Sequence, residues 1–424
     1  MKYTGHSGND NFTGTAQHDV FDLASGGNDT ANGEGGADTF LMGAALNPAD
    51  RINGGAGNDT VRLDGEYANL AFKTTTMVNV EKLVLTGGHD YTLTTADATV
   101  AANAALFVNA AGLKAGDSLT FNGGVETNGS FNIVGGAGHD VLTGGALSDT
   151  FDLSHGGNDT ARGGGGDDSF TMGAAFTAGD RIDGGTGDFN TIFLDGDYSA
   201  GLLLKAHMVQ NISDIQVQGD HDYKISLDDS SLASGQQLQV FDNTTSTSDS
   251  LNINAAALTV GSIFAVGGAG RDTIVGGDGS DVLQGDRGAD HLTGGGGADI
   301  YFYGSVRDST GTHFDTITGF DFRKSDHFSS PDNITGVETT VTGGLLRGGT
   351  HFNGDLADAI GAGQLGPHHA VLFQPDSGTY QGDTFLIVDF NGHAGYQANH
   401  DIVVLLDHAA HLGAISTADF IFDN

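Results

Sequence analysis

Aspartate recurs every nine residues at Asp272, Asp281, Asp290 and Asp299. Each closes a glycine-rich hexad and stands just ahead of an apolar residue. The stretches 267–275, 276–284, 285–293 and 294–302 all read G-G-x-G-x-D-x-U-x, with U apolar, and the one slip is Asp286 in place of the second Gly. The chemistry open to such a set is cation binding. A carboxylate is a hard oxygen donor, and a glycine turn exposes backbone carbonyls as further donors. Calcium takes about six to eight such oxygens in flexible geometry. The candidate ligands in this block are Gly268, Gly270, Asp272, Gly277, Gly279, Asp281, Asp286, Gly288, Asp290, Gly295, Gly297 and Asp299.

Looser versions of the unit place further candidates at Asp10, Asp19, Asp29 and Asp38, and again at Asp140, Asp149, Asp159 and Asp168. A unit that is alone in the sequence ends at Asp59. Its counterpart, Gly184-Gly-Thr-Gly-Asp-Phe-Asn190, carries an insertion and has lost the aspartate pattern, so that site is expected to be weak or empty. These correspondences belong to a long duplication of residues 5–136 in 135–268. Val20-Phe-Asp-Leu matches Thr150-Phe-Asp-Leu, Asp50-Arg-Ile matches Asp180-Arg-Ile, and His89-Asp-Tyr91 matches His221-Asp-Tyr223.

The elements that must position these aspartates follow from the same pattern. Glycine supplies positive φ and close backbone approach, so the hexad predicts a tight turn. The x-U-x that follows predicts a short strand with its apolar residue inward. Period-two runs such as Lys82-Leu-Val-Leu85, Leu106-Phe-Val108 and Leu238-Gln-Val240 extend the strand pattern through both copies. Strands this short suit a solenoid in which each coil buries its face on the next. The fold class predicted is all-β, a parallel β-roll or β-solenoid with a β-rich C-terminal cap. The organisation expected is a module over 1–134, its copy over 135–266, a nonapeptide block over 267–302 and the cap over 303–424. No long amphipathic helix is expected, and the Ala-rich 95–103 suits at most a turn of one.

With its nonapeptides in register, the chain resembles the RTX (haemolysin-type calcium-binding) secreted proteins. Past residue 303 the aromatic content rises, and Asp383-Thr-Phe-Leu-Ile-Val-Asp389 and Ala418-Asp-Phe-Ile-Phe-Asp-Asn424 resemble the C-terminal domain of serralysin-type proteins. That resemblance implies several Ca2+ ions, a β-roll that folds on calcium, and an uncleaved C-terminal signal for a type I ABC exporter. It implies a secreted, extracellular protein, with calcium and the exporter as partners. Cell-surface attachment, a surface polysaccharide and self-association are compatible with the same reading. The role expected is a structural, surface or matrix/adhesion component.

Composition points the same way. The 424 residues carry 54 acidic and 16 basic groups, for a net charge of -38, and Asp outnumbers Glu roughly tenfold. A field of that sign excludes nucleic acid as a partner. There is no Cys, so disulfides cannot stabilise the chain, and bound metal is an available substitute. No Sec-type leader and no apolar run long enough to span a membrane is visible. No enzymatic activity is expected: H-E-x-x-H and G-x-S-x-G are both absent, and repeats and cap account for the whole chain. The alternative is a carbohydrate-binding or carbohydrate-active protein using the His-Asp-Tyr face at Asp90 and Asp222. The plainer reading of that motif is a turn whose Tyr packs on the solenoid.

Overall fold

The computed structural model describes residues 1–205, 207–232 and 234–422, so Asp423 and Asn424 of the terminal motif lie outside the described residues. The chain divides into two compact units, Met1–Asp195 with His207–Asp214, and Gly196–Ala206 with Ile215–Asn424. The long duplication and these units are different divisions of the chain.

The first unit is built from parallel ladders. Val20–Asp22 pairs with Lys2–Thr4 on one side and with Thr39–Gly43 on the other. Asn11–Thr13, Thr30–Asn32 and Arg51–Asn53 stack in the same way on the opposite face. The copy repeats the arrangement, with Thr150–Asp152 on Ser169–Gly173 and Val141–Thr143 on Thr160–Gly164. The fold is thus a parallel β-roll, all-β as the sequence predicts. In the second unit the pairing is regular: His291 lies opposite Thr273 and Ile300 opposite Val282, each two nonapeptides further on. Successive nonapeptides therefore alternate between two sheets, and one coil contains two.

Each strand contributes little to the core. In the three-residue strand Val20–Asp22 only Phe21 is fully buried, and in Thr273–Val275 only Ile274. The apolar positions Ile274, Leu283 and Leu292 have no exposure at all. Tyr3, Phe21 and Phe40 stack along one face with 4.8 Å between successive centroids. Burying one such side chain contributes about 1.5–3 kcal/mol. Ordering the backbone costs about 1–2 kcal/mol per residue. One inward side chain per nine residues does not cover that cost, so the turns must stabilise the roll.

The expected β-rich cap is present, with one addition. His369–Gln374, Phe385–Val388 and Ile402–Asp407 form an antiparallel meander, and Ile402–Asp407 joins the roll by parallel pairing with Asp315–Thr318. Helix Phe352–Ala359 packs Phe352 and Leu356 into the same core as Val371, Phe385 and Val403. The sequence reading anticipated no such helix. Phe420–Phe422 forms the last strand and pairs with His327–Ser330. The Ala-rich 95–103 contains only the 3-10 turn Asp97–Thr99.

Candidate metal centres

The periodic aspartates form ladders of their own. Asp10 N–H donates to Asp29 Oδ1 at 2.9 Å, and Asp29 N–H to Asp50 Oδ1 at 2.7 Å. On the other side Asp19 donates to Asp38 at 2.8 Å, Asp38 to Asp59 at 2.7 Å, and Asp59 to Glu81 Oε2 at 2.7 Å. The copy runs Asp140 to Asp159 to Asp180, and Asp149 to Asp168 to Asn190. The third block runs Asp272 to Asp290 to Asp315, and Asp281 to Asp299 to Asp326. Each carboxylate thus uses one oxygen to hold the turn of the coil before it.

The other oxygen is what matters for a cation. Oδ2 of Asp38, Asp59, Asp168, Asp272 and Asp290 is buried and has no hydrogen-bond partner. The first glycine of the hexad explains the space beside it. A Cβ on Gly33 would lie 2.2 Å from Asp38 Oδ2 and 2.4 Å from Gly54 O. A Cβ on Gly163 would lie 1.9 Å from Asp168 Oδ2 and 2.6 Å from Gly184 O, whereas Asp281 Oδ2 already accepts from Gly277 N at 2.8 Å. A carboxylate oxygen and a carbonyl of the next coil therefore face one point, two acceptors with no donor between them. An unpartnered buried acceptor costs about 1–3 kcal/mol, and more when charged. A hard cation satisfies both oxygens at once, so this donor set fits calcium.

Electrostatics agrees. Burial raises these carboxylates above the usual range: Asp149 to about 6, Asp159, Asp168, Asp290 and Asp299 to about 7, and Asp272 to about 9. Desolvation is the largest cause in each, and neighbouring carboxylates add to it at Asp159, Asp168, Asp272 and Asp299. Among the described residues no group of three or more His, Cys, Asp or Glu side chains gathers as a metal site. Any site here would be one carboxylate at a time with backbone carbonyls beside it.

The site residues named from sequence occupy distinct places. Asp10 is partly exposed, whereas the other periodic aspartates are buried. Asp59, alone in sequence, is in register with Asp38 in space. Asp286 has φ +59°, in the left-handed region where the hexad normally has Gly, and its carboxylate accepts from Gln284 rather than joining a ladder. Gly268 O accepts from Arg287 N at 2.9 Å and Gly277 O from Gly296 N at 2.8 Å, ordinary coil-to-coil bonds. A Cβ on Gly270, Gly279, Gly288 or Gly297 would lie within 2.1 Å of a carbonyl in the preceding coil. Gly295 has φ +102°, which suits only glycine.

Nonapeptide spacing alone missed Asp50, Glu81, Asp180, Asn190, Asp315 and Asp326. A signal existed for two of them, since Asp50-Arg-Ile and Asp180-Arg-Ile correspond in the duplication. Both sit at the end of a turn, where Asn47 N donates to Asp50 Oδ2 and Thr177 N to Asp180 Oδ2. At Asn190, where the sequence has lost the aspartate, the side chain keeps the ladder bond. Its Nδ2 donates to Asn211 O at 3.0 Å and Gly187 O at 3.3 Å.

The His-Asp-Tyr pairs make a different kind of site. Tyr91 and Tyr223 are buried, and Tyr91 Oη donates to Thr86 O at 2.9 Å. Asp90 Oδ1 accepts from Ser118 N and Oγ, and Asp222 Oδ1 accepts from Ser250 Oγ. His89 lies 3.4 Å from both Asp64 and Glu66. Both Tyr rings are core and both Asp side chains hold turns.

Comparison with known proteins agrees with the repeats. The family described as the RTX calcium-binding nonapeptide repeat (4 copies) matches residues 23–44, 49–65, 132–152, 155–174 and 265–308. These segments contain Asp29, Asp38, Asp59, Asp140, Asp149, Asp159, Asp168, Asp272, Asp281, Asp290 and Asp299. No curated protein and no solved structure matches the chain. The chain therefore carries calcium-binding RTX repeats in a parallel β-roll. Among the described residues no helix is long and apolar enough to cross a membrane.

Proposed function

We propose that this is an extracellular structural protein whose fold is switched on by calcium after type I export. It acts as a surface, matrix or adhesion component and has no catalytic role. The observation that carries the reading is the set of buried carboxylate oxygens that lack a partner, those of Asp38, Asp59, Asp168 and Asp272 beside a carbonyl of the next coil. Without a cation those turns cost energy and repel one another. With it, binding energy becomes folding energy. Each site adds RT ln(1 + [Ca]/Kd), or about 1.4 kcal/mol at ten times Kd.

The reading couples place to fold. Cytosolic calcium is scarce, so the chain stays unfolded and can pass through a narrow exporter. Extracellular calcium suffices for sites of about 10⁻⁴–10⁻³ M affinity, as extracellular modules have. Folding at the outer face then opposes return. Circular dichroism of the purified chain tests this directly. The expected result is a coil spectrum in EGTA and a β spectrum that rises between micromolar and millimolar calcium, with magnesium ineffective. A full β spectrum in excess EGTA would sink the proposal.

A further inference from the structure

A second site lies in the second unit, beside the nonapeptide turns that carry Asp272 and Asp290. The chain has nine Arg, and three of them, Arg271, Arg287 and Arg307, line one open cleft of about 830 Å³ with His313 and His400. All five side chains are exposed. Among the described residues, none of the three guanidinium groups makes an ion pair or a hydrogen bond within the chain. Asp290 and Asp308 attract Arg271 and Arg287 at longer range without reaching ion-pair distance, and Asp286 accepts from Gln284. By contrast Arg347 is held in a fork on Asp355, at 2.9 and 2.6 Å. On a surface of net charge -38, three unpaired guanidinium groups in one concavity are an uncommon concentration of positive charge.

We infer that this cleft binds an acidic oligosaccharide through its carboxylate or sulfate groups. The guanidinium fork matches such planar or tetrahedral oxyanions. The volume lies in the range of ligand sites. Thr310 and Asn399 in the lining supply partners for sugar hydroxyls. Two other polyanions fit less well. The lining contains no Phe, Tyr or Trp ring on which a base could stack. No large apolar side chain lines the cleft to seat an acyl chain. Gly270 and Gly288 form its floor, so the cleft exists only when the nonapeptide turns are folded. The site is independent of the export reading: a chain that folds on calcium yet binds no acidic sugar leaves that reading intact.

The test uses the full chain in saturating calcium, titrated calorimetrically with a hexauronate, a sulfated hexasaccharide, a neutral hexasaccharide and a single-stranded oligonucleotide. Binding of at least one acidic sugar is expected, weakening with salt and absent in EGTA, with no binding of the neutral sugar. The triple substitution R271Q/R287Q/R307Q should lower affinity by about tenfold or more with an unchanged β spectrum. Should that variant not fold, R307Q alone, which lies outside the nonapeptides, should lower affinity by about threefold. R287K, which keeps charge but loses the fork, should fall between wild type and R287Q. The inference is overturned if neither acidic sugar binds, if the neutral sugar or the oligonucleotide binds as tightly, or if removing the guanidinium groups leaves affinity unchanged.

Discussion

Asn190 shows at the scale of one residue what a cation does in these turns. Asp59 and Asn190 occupy equivalent places in the two copies. Each accepts the ladder bond, from Asp38 N and Asp168 N respectively. Asp59 Oδ2 is left without a partner near Asn79 O. Asn190 places an NH2 at the same point and donates it to Asn211 O. The amide thus supplies from the protein the positive end that an ion supplies at Asp59. Two outcomes follow. Asn190→Asp should create a site, adding one calcium to the stoichiometry found by calorimetry and steepening the dependence of the β signal on calcium. Asp59→Asn should remove one calcium yet leave the calcium-loaded chain more stable than Asp59→Ala does, by about 1 kcal/mol, the usual worth of a retained hydrogen bond. If Asn190→Asp leaves stoichiometry unchanged, the oxygen pair at that point is not a cation site.

At the scale of the coil, the glycine at the fourth position of the hexad sets how closely turns stack. A Cβ on Gly288 would lie 2.1 Å from Gly270 O, whereas one on Gly8, at the same place in its own hexad, meets nothing within 4 Å. Gly288→Ala should therefore destabilise the calcium-loaded chain by about 1–3 kcal/mol through overpacking, and Gly8→Ala should leave its thermal midpoint nearly unchanged. Equal effects at the two positions would mean that glycine acts only through backbone entropy. The coil was legible in the sequence because each part of it is local. The turn needs glycine, the ligand needs Asp, and the strand needs one apolar residue, all within nine positions. What the sequence hid is set between coils. Asp50 and Asp180 end longer turns, outside the nonapeptide count. Asp59 looks isolated because its partner in space, Asp38, is a full coil away. The helix Phe352–Ala359 is short and weakly amphipathic, and it exists because the meander offers Phe352 and Leu356 an apolar floor. The C-terminal element adds a prediction of its own. Phe420–Phe422 pairs with His327–Ser330, and Phe420 stacks on Phe328 at 5.7 Å. Deleting residues 413–424 should stop export through the type I apparatus, scored as protein in the medium, while the purified remainder still folds on calcium with a lower midpoint. Normal export of the truncated chain would place the signal elsewhere.

The whole molecule integrates these sites into a contest between calcium and protons. The amino terminus holds Asp19 low, but loss of solvation raises the other shifted ladder carboxylates in the folded chain, four of them to about 7. In the unfolded chain the same groups titrate near about 3.9. Between those values the ion-free folded state binds more protons than the unfolded one, so its stability falls as pH rises through about 4 to 7. Asp355, held near 2 by Arg347, acts in the opposite sense but below that window. Calcium reverses the order, because a ligand carboxylate must be ionised to bind it. The residual β signal in EGTA should therefore be higher at pH 5 than at neutral pH, where coil is expected, and in millimolar calcium the thermal midpoint should be higher at pH 8 than at pH 5. Calcium binding near pH 6 should also release protons, seen as a binding heat that varies with the ionisation heat of the buffer. Protonation would then do weakly, in acid, what calcium does at neutral pH: remove the charge that keeps neighbouring turns apart. An ion-free β signal that rises from pH 5 to pH 8, with no proton release on binding, would show that these carboxylates are already ionised and compensated without a metal, and the cation would lose its place as the element that closes the roll.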